Sequence, residues 1–354
     1  MSEQTDNTRP PQPPRRPGDD GQRTVNATPT GMVAVSNGAR VTKPLSFGAA
    51  VAWCVAAGVC AGVSPIMSSL FVGFAYALMA GNGGMRERLI AVACTVVPAV
   101  LCVFVLQFSG FEDAVFSCVV GIAGSHLYLR GKLTPGVACI AVALLSVLLL
   151  GASEAIARLA GTSIATQFAT IMDMYMGTFE AASIEMSAAL AQMRTIVDAI
   201  WPTAFVIIAF VEFALSIIGA KVGAGRQGVD VGTRETIEQF DLPLWMVGCL
   251  IGAILILSVS RAVPSHASLL MMVGGTLLCS LRLAFATQGF AVLTWFKHSK
   301  GLYGLVGIII TVAMLFLEIN MFVLTIVGVL DVWMNMRHLT RGVRVTVQDP
   351  ADRS

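Results

Sequence analysis

The segment that decides the fold class is residues 47–80, FGAAVAWCVAAGVCAGVSPIMSSLFVGFAYALMA, which contains no Asp, Glu, Lys or Arg. A water-soluble core cannot bury so long an uncharged segment, whereas a helix needs about 20 apolar residues to cross the hydrocarbon of a bilayer. Comparable apolar runs follow along the chain, at 89–108, 136–152, 202–220, 244–260 and 302–317. We therefore predict an all-α fold, a polytopic bundle of transmembrane helices.

The composition agrees with this class. Hydrophobic residues make up 56% of the chain and charged residues 12%, whereas soluble domains contain roughly 25% charged residues. The net charge of +2 is too small to indicate nucleic acid as a partner. The 8 cysteines lie in or beside apolar runs and form no C-x-x-C pair, which favours packing over a disulfide framework or a metal site.

Residues 1–44 form a separate region. Its stretch RPPQPPRRPGDD, at 9–20, has no apolar periodicity and cannot form a core, so we predict a disordered tail. Basic residues concentrate in this tail and in short loops, and such residues stay on the cytoplasmic side of a membrane. We therefore expect a plasma-membrane protein with both termini in the cytoplasm, including a C-terminal tail at 341–354.

Ten membrane crossings satisfy this rule within a transmembrane domain at 45–340. The predicted spans are 47–62, 66–80, 89–108, 112–129, 136–156, 201–220, 243–260, 267–296, 302–317 and 319–335. The first two spans could instead be one bent or re-entrant element. The last two could be one helix interrupted by Glu318 and Asn320, but a single helix would place Arg337 outside, so we favour two helices. The prediction is eight to ten spans.

The segment 161–199 has a different pattern. Ile171, Met174 and Phe179 alternate with Asp173 and Glu180 at about helical spacing. This pattern predicts an amphipathic helix or a helical hairpin on the extracytoplasmic side. Its methionines could suggest copper, but methionine at helical spacing usually fills an apolar face.

Four polar side chains interrupt the apolar runs and are the candidate site, namely Glu212, Arg282, Gln288 and Glu318. Charged groups at membrane depth are costly and are functional candidates by default. We predict that the four line a substrate cavity. For Glu212 and Arg282 two arrangements stay open: a buried ion pair, which would offset the desolvation of both charges, or a place for both in the lining of the cavity. The structural alternative is that Arg282 extends toward the headgroups, Glu318 lies in a loop and Glu212 packs as a protonated acid.

The first span also carries a stripe of small residues. Ala52 and Ala56, and likewise Gly58 and Gly62, stand four residues apart, a spacing that permits close helix contact. The stripe predicts either a docking face for another membrane subunit or close packing within this chain.

Motifs of catalytic and nucleotide-binding sites are missing from the sequence. It contains no G-x-x-x-x-G-K-[ST], no H-E-x-x-H and no G-x-S-x-G, the motifs of phosphate loops, zinc proteases and serine hydrolases. The four histidines, at 126, 266, 298 and 338, stand far apart. We expect a protein that is not an enzyme, with no catalytic residues, no metal site and no cofactor.

Four landmarks in the second half carry a resemblance to a known family. They are WP at 201–202, FDLPLW at 240–245, QGFAV at 288–292 and GVLDVWMNMR at 328–337. In this order they resemble the YybS family of bacterial multi-pass membrane proteins, over about residues 45–340. That family is similar, more distantly, to the substrate-capture subunits of energy-coupling-factor transporters, which usually have fewer spans than predicted here.

The resemblance implies a membrane protein that binds a small molecule and borrows its ATPase from a partner. The expected partners are accordingly the lipid bilayer and, for transport, other membrane subunits or a separate ATPase module. A second function stays open, that of a non-transporting scaffold which positions other proteins of the cell envelope through its tail or its external helix.

Overall fold

The computed structural model describes residues 45–64, 67–106, 111–177, 184–229 and 237–339. Within these ranges the chain consists of α-helices, two short 3-10 helices and connecting loops, with no β-strand. The predicted all-α class is therefore confirmed. The predicted tails, 1–44 and 341–354, lie outside the described residues.

Many of the helices lie close to the positions of the predicted spans. Their bounds are α1 Phe47–Val63, α2 Ser68–Ala80, α3 Met85–Leu106, α4 Phe111–Leu129, α5 Pro135–Leu159, α6 Ile164–Gly177, α7 Ile184–Ile200, α8 Thr203–Gln227, α9 Trp245–Ser260, α10 Ala267–Ser299, α11 Gly304–Met321 and α12 Val323–Met334. The 3-10 helices are Ile237–Gln239 and Pro264–His266.

Several helix ends follow from local sequence. The Ser46 and Thr134 hydroxyls accept hydrogen bonds from the third residue of α1 and of α5, so both act as N-caps. Pro135 stands at the first position of α5, where the missing N–H has no consequence. Gly228 ends α8 with a φ of 67°, a left-handed conformation that suits glycine.

Five helices are long and apolar enough to cross a membrane, spanning Met85–Val105, Pro135–Leu159, Thr203–Gln227, Pro264–Ser299 and Gly304–Met321. Four shorter apolar helices cover Phe47–Val63, Ser68–Ala80, Trp245–Ser260 and Val323–Met334. Many large apolar side chains on these helices are exposed, among them Leu144, Val147 and Ile308, as expected for surfaces that contact lipid. The count of eight to ten crossings stays a prediction.

Two short helices, α2 and α12, each pack closely against a long one. With 13 and 12 residues they extend only about 20 Å, less than the hydrocarbon thickness of about 30 Å. Glycine makes the close approach possible. A Cβ at Gly219 of α8 would collide with the Leu70 carbonyl of α2, and a Cβ at Gly289 of α10 with the Leu324 carbonyl of α12.

The two uncertain pairs of spans are both separate helices. The first pair forms α1 and α2. In the last pair the break falls at Phe322, which has a φ of 56°, and not at Glu318. Glu318 and Asn320 belong to the last turn of α11, which extends to Met321 and closes with a backbone hydrogen bond from the Phe322 N–H to the Glu318 carbonyl.

The predicted insert at 161–199 is helical, as α6 and α7. Arg194 of α7 forms an ion pair of 2.7 Å with Asp173 of α6. The Phe168 ring of α6 lies 5.9 Å from the ring of Trp201, which stands two residues before the start of α8. Residues 178–183, between the two helices, lie outside the described part of the chain, and the extracytoplasmic position stays a prediction.

Candidate functional site

The break between α11 and α12 is held by the carboxylate of Glu318. Oε2 accepts a hydrogen bond of 3.0 Å from the backbone N–H of Thr325, and Oε1 accepts one of 2.7 Å from its hydroxyl. Thr325 is the third residue of α12, so the carboxylate caps a helix N-terminus, where negative charge is favourable. A break in an apolar environment requires such a partner, because each unpaired N–H there costs several kcal/mol.

Arg282 of α10 completes this arrangement. Its Nε lies 3.4 Å from Glu318 Oε1, and its Nη2 donates a hydrogen bond of 3.1 Å to the Glu318 carbonyl. The guanidinium carbon lies 3.9 Å from the centre of the Phe322 ring, within the range of a cation–π contact. Side-chain exposure is 39% for Arg282 and 11% for Glu318. The arginine is therefore the accessible member of the pair.

The accessible guanidinium of Arg282 has N–H groups left for a ligand. An arginine carries five N–H donors in a fixed plane, and the guanidinium of Arg282 contacts the Glu318 carboxylate, the Glu318 carbonyl and the Phe322 ring. Across the described ranges no other acceptor takes up the remaining N–H groups. Such a group can bind a carboxylate or a phosphate with two parallel hydrogen bonds.

The predicted ion pair between Glu212 and Arg282 is wrong. Arg282 pairs with Glu318, because α11 turns back along α10 after the loop at residues 300–303. Glu212 lies on the side of α8 that faces α4, and its carboxylate accepts a hydrogen bond from the Ser117 hydroxyl. Sequence indicated the depth of both charges but not the direction in which each helix presents them.

Gln288 is fully buried and belongs to a different cluster. Its Nε2 donates to Asp331 Oδ2 at 2.7 Å and to Asp241 Oδ1 at 3.3 Å. Its Oε1 accepts a hydrogen bond of 3.0 Å from the backbone N–H of Leu242. The side chain thereby joins α10 to α12 and to the segment that precedes α9.

Arg337 completes this cluster. Its Nε and Nη2 lie 3.2 Å and 2.8 Å from Asp331 Oδ2, and Nη2 also donates to the Phe240 carbonyl at 2.8 Å. Its Nη1 donates to the Glu238 carbonyl. Three of the four sequence landmarks, at 240–245, 288–292 and 328–337, meet at this point. Because the charges are opposite and enclosed, the cluster joins these segments to one another and its charged groups are occupied by each other.

The four predicted cavity residues thus fall into three contact sets. Arg282 contacts Glu318, Gln288 contacts Asp331, and Glu212 contacts Ser117. Asp331 and Arg337 were missed as site residues, although both stand in the landmark at 328–337. The cavity itself stays a prediction, and Arg282 with Glu318 is the part of it that these contacts bring together.

The small-residue stripe of α1 divides in two. Gly58 and Gly62 lie against α3. A Cβ added at Gly58 would collide with the Thr95 carbonyl, and a Cβ added at Gly62 would lie 2.9 Å from the Ala99 carbonyl oxygen. These glycines therefore serve packing within the chain. Ala52 and Ala56 are exposed, and docking of another subunit at them stays a prediction.

Metal-ligating side chains are scattered. In the part of the chain that the structure describes, no three His, Cys, Asp or Glu residues group closely enough to hold a metal ion.

A helical bundle with several membrane-length apolar helices and a charged pair at a helix break defines a multi-pass membrane protein. The chain belongs to the family described as "Predicted membrane protein (DUF2232)", which matches residues 49–332. The matched range includes Glu212, Arg282, Gln288 and Glu318. No curated protein and no solved structure matches the chain.

Proposed function

We propose that this protein binds a small anionic solute at the break between α11 and α12, as the solute-binding component of a membrane transport process. One observation carries the proposal: the Arg282 guanidinium is part-exposed next to the break and has N–H donors that Glu318 does not use. The proposed role includes no catalytic step.

The cost of the arginine supports this proposal. Placing an arginine at the centre of a transmembrane helix costs about 2.5–3.5 kcal/mol on insertion scales, so such residues are rare and usually functional. Glu318 offsets part of that cost. The Phe322 ring supports one face of the guanidinium and leaves its edge for a ligand. Broken helices are also where many transporters place their substrates.

The proposal extends to location and partners. Basic residues in the loops favour a plasma-membrane protein with both termini in the cytoplasm. The resemblance to the YybS family, and more distantly to the capture subunits of energy-coupling-factor transporters, favours a separate ATPase module as the source of energy. The membrane subunit that couples such a module to this protein would dock on the exposed alanines of α1, Ala52 and Ala56.

Binding of acidic solutes to the full chain in lipid nanodiscs tests this function. A panel of small carboxylates and phosphate monoesters is compared with the matching neutral amides and alcohols by calorimetry. We expect at least one anion to bind while its neutral analogue does not. Arg282→Lys should weaken binding and Arg282→Gln abolish it, whereas Arg158→Gln, at an exposed arginine paired with Glu154, should leave it unchanged.

Two results would count against this function. Equal binding of an anion and its neutral analogue would show that charge is not recognised. Equal binding by the wild-type protein and the Arg282→Gln variant would show that the solute lies elsewhere. Arg282→Lys keeps the positive charge beside Glu318, so it remains informative if Arg282→Gln does not fold.

A scaffold is the second candidate, and the surface of α6 favours it. Ile171, Met174 and Tyr175 are all exposed on this helix, and their side chains offer an apolar surface for contact with another protein. A photoreactive amino acid at position 174 would report the neighbour. Cross-links to one envelope protein favour the scaffold, whereas cross-links to lipid favour a helix that lies on the membrane surface.

A further inference from the structure

A line of polar groups follows one face of α4 through its contacts with α2 and α8. Asp113 is exposed at the start of α4, Ser117 lies one turn further, and Ser125 lies two turns beyond that. Positions four residues apart share a helix face, so Asp113, Ser117, Gly121 and Ser125 form a single row. His126 follows at the other end of the helix.

Glu212 of α8 is the buried acid in this row. It is 7% exposed, and the Ser117 hydroxyl lies 3.1 Å and 3.0 Å from its two carboxyl oxygens. Asp113 of α4 acts on it electrostatically, and Glu212 in turn acts on the Cys118 thiol of α4. Within the described ranges no Lys, Arg or His reaches ion-pair distance of Glu212.

In the part of the chain that the structure describes, the arginines on the other helices that pack against α8 have acids of their own. Arg282 of α10 pairs with Glu318. On α5, which also packs against α8, Glu154 and Arg158 pair with each other. A carboxylate buried without a cation is costly, and uptake of one proton removes that cost. Glu212 is therefore placed to hold a proton inside the bundle.

Further hydroxyl groups lie between Glu212 and the opposite end of α4. Ser216 of α8 donates to the Phe213 carbonyl at 2.8 Å, and Ser125 donates to the Gly73 carbonyl of α2 at 3.3 Å. Ser69 Oγ of α2 is completely buried and has no hydrogen-bond partner among the described residues. A buried hydroxyl of this kind is typical of a place where a water molecule binds.

Glycines allow these polar groups to come together. Gly73 of α2 and Gly121 and Gly124 of α4 lie at the contact of the three helices, and a Cβ at Gly124 would collide with Ser216 Oγ. Without a side chain at Gly124, the Ser216 hydroxyl of α8 lies directly against the backbone of α4.

The row ends at a tyrosine–histidine pair. The Tyr76 hydroxyl of α2 lies 3.0 Å from His126 Nδ1. Arg88 and Arg130 act electrostatically on both members of the pair. Tyr76 is buried and His126 is half-buried, so the pair connects the interior of the bundle with its basic surface.

We propose that the contact of α2, α4 and α8 is a proton pathway, with Asp113 and His126 as its end groups and Glu212 as the buried carrier. In the first step, the carboxyl of Asp113 gives a proton to the oxygen of Ser117 while Ser117 gives its own proton to Glu212. An O–H bond breaks at Asp113, one breaks and one forms at the Ser117 oxygen, and one forms at Glu212. The total number of O–H bonds is unchanged and no electrons are transferred. The pathway is separate from the solute site, which lies on α10, α11 and α12.

Proton flux into liposomes tests the proposal. The full chain is reconstituted into liposomes that enclose a pH-sensitive dye, and a potassium gradient with valinomycin drives proton entry. The wild-type protein should conduct protons faster than protein-free liposomes. Glu212→Gln should lower the flux by about tenfold or more, Ser117→Ala should lower it, and Ser117→Thr should retain it.

The matched control is Glu112→Gln. Glu112 lies in the same turn of α4 as Asp113, but its carboxylate accepts a hydrogen bond from Ser153 of α5 and not from the row. Its replacement should leave the flux unchanged. Infrared difference spectra recorded on acidification should contain a protonated-carboxyl band that is lost in Glu212→Gln.

Three results would overturn the pathway. They are a wild-type flux equal to that of protein-free liposomes, an undiminished flux in Glu212→Gln, and equal losses in Glu212→Gln and Glu112→Gln. Because Ser117→Thr and Ser117→Ala differ in the hydroxyl, their comparison decides the question if Glu212→Gln does not fold.

Discussion

Asp331 and Arg337 form an ion pair of 2.8 Å in which both side chains are completely buried. The same arginine holds the carbonyls of Glu238 and Phe240, and the same aspartate accepts a hydrogen bond from Gln288. Through Gln288, this ion pair connects the segment before α9 and the residues after α12 to α10.

Removing one member of this pair should destabilise the protein strongly. Arg337→Met leaves Asp331 as a buried charge without its cation, and breaking a buried pair costs about 3–5 kcal/mol. We expect a large fall in the melting temperature of the purified protein in detergent. Arg158→Met should change it little, because exposed pairs contribute about 0–1 kcal/mol. Equal effects of the two substitutions would contradict the role of the cluster.

Because α10 packs closely on α12, one methyl group added at their contact should destabilise the protein. Gly289→Ala would bring a Cβ into the Leu324 carbonyl, so the helices must separate, at a cost of about 1–3 kcal/mol. Gly252→Ala is the control, since nothing lies within 4 Å of a Cβ there and alanine favours a helix. Melting temperatures compare the two. A Gly289→Ala protein as stable as the wild type would refute the contact.

Glu318 should stabilise the helix break in two ways, as the cap of α12 and as the partner of Arg282. Glu318→Ala removes both the cap of α12 and the partner of Arg282, so it should cost more stability than Glu318→Gln, which keeps an acceptor for Thr325. Asn320→Ala, at an exposed neighbour, should be nearly neutral. Thermal unfolding ranks the three variants, and Glu318→Gln and Glu318→Ala of equal stability would show that the cap contributes little.

The orientation of α10 can be tested from outside the cell. Ser265 precedes this helix and Lys300 follows it, and both are exposed. Basic residues stay inside, so a membrane-impermeant maleimide should label Ser265→Cys on intact cells and label Lys300→Cys only after lysis, each in a background without the native cysteines. The reverse labelling pattern would invert the proposed topology.

Much of the helix layout could be predicted because apolar runs report directly on membrane-length helices. The separation of α11 from α12 was also predictable, since Glu318 and Asn320 interrupt the last run. The position of the break was not, because Glu318 completes a helical turn and the chain reverses at Phe322.

The partners of the charged residues could not be predicted in the same way. Hydropathy gives the depth of Glu212 and Arg282 but not the rotation of α8 and α10, which decides that one faces Ser117 and the other Glu318. The cluster around Asp331 joins residues 238–241 to residues 331 and 337. Only the landmark motifs indicated that these distant segments matter, and they did not show that the segments meet.

Native mass spectrometry of the full chain, released from the membranes in which it was produced, tests the solute-binding claim most directly. If the solute binds at Arg282, the wild-type protein should carry a small acidic molecule, Arg282→Gln should carry none, and Arg158→Gln should carry as much as the wild type. The same acidic molecule bound in equal amount to the wild-type protein and to Arg282→Gln would contradict it.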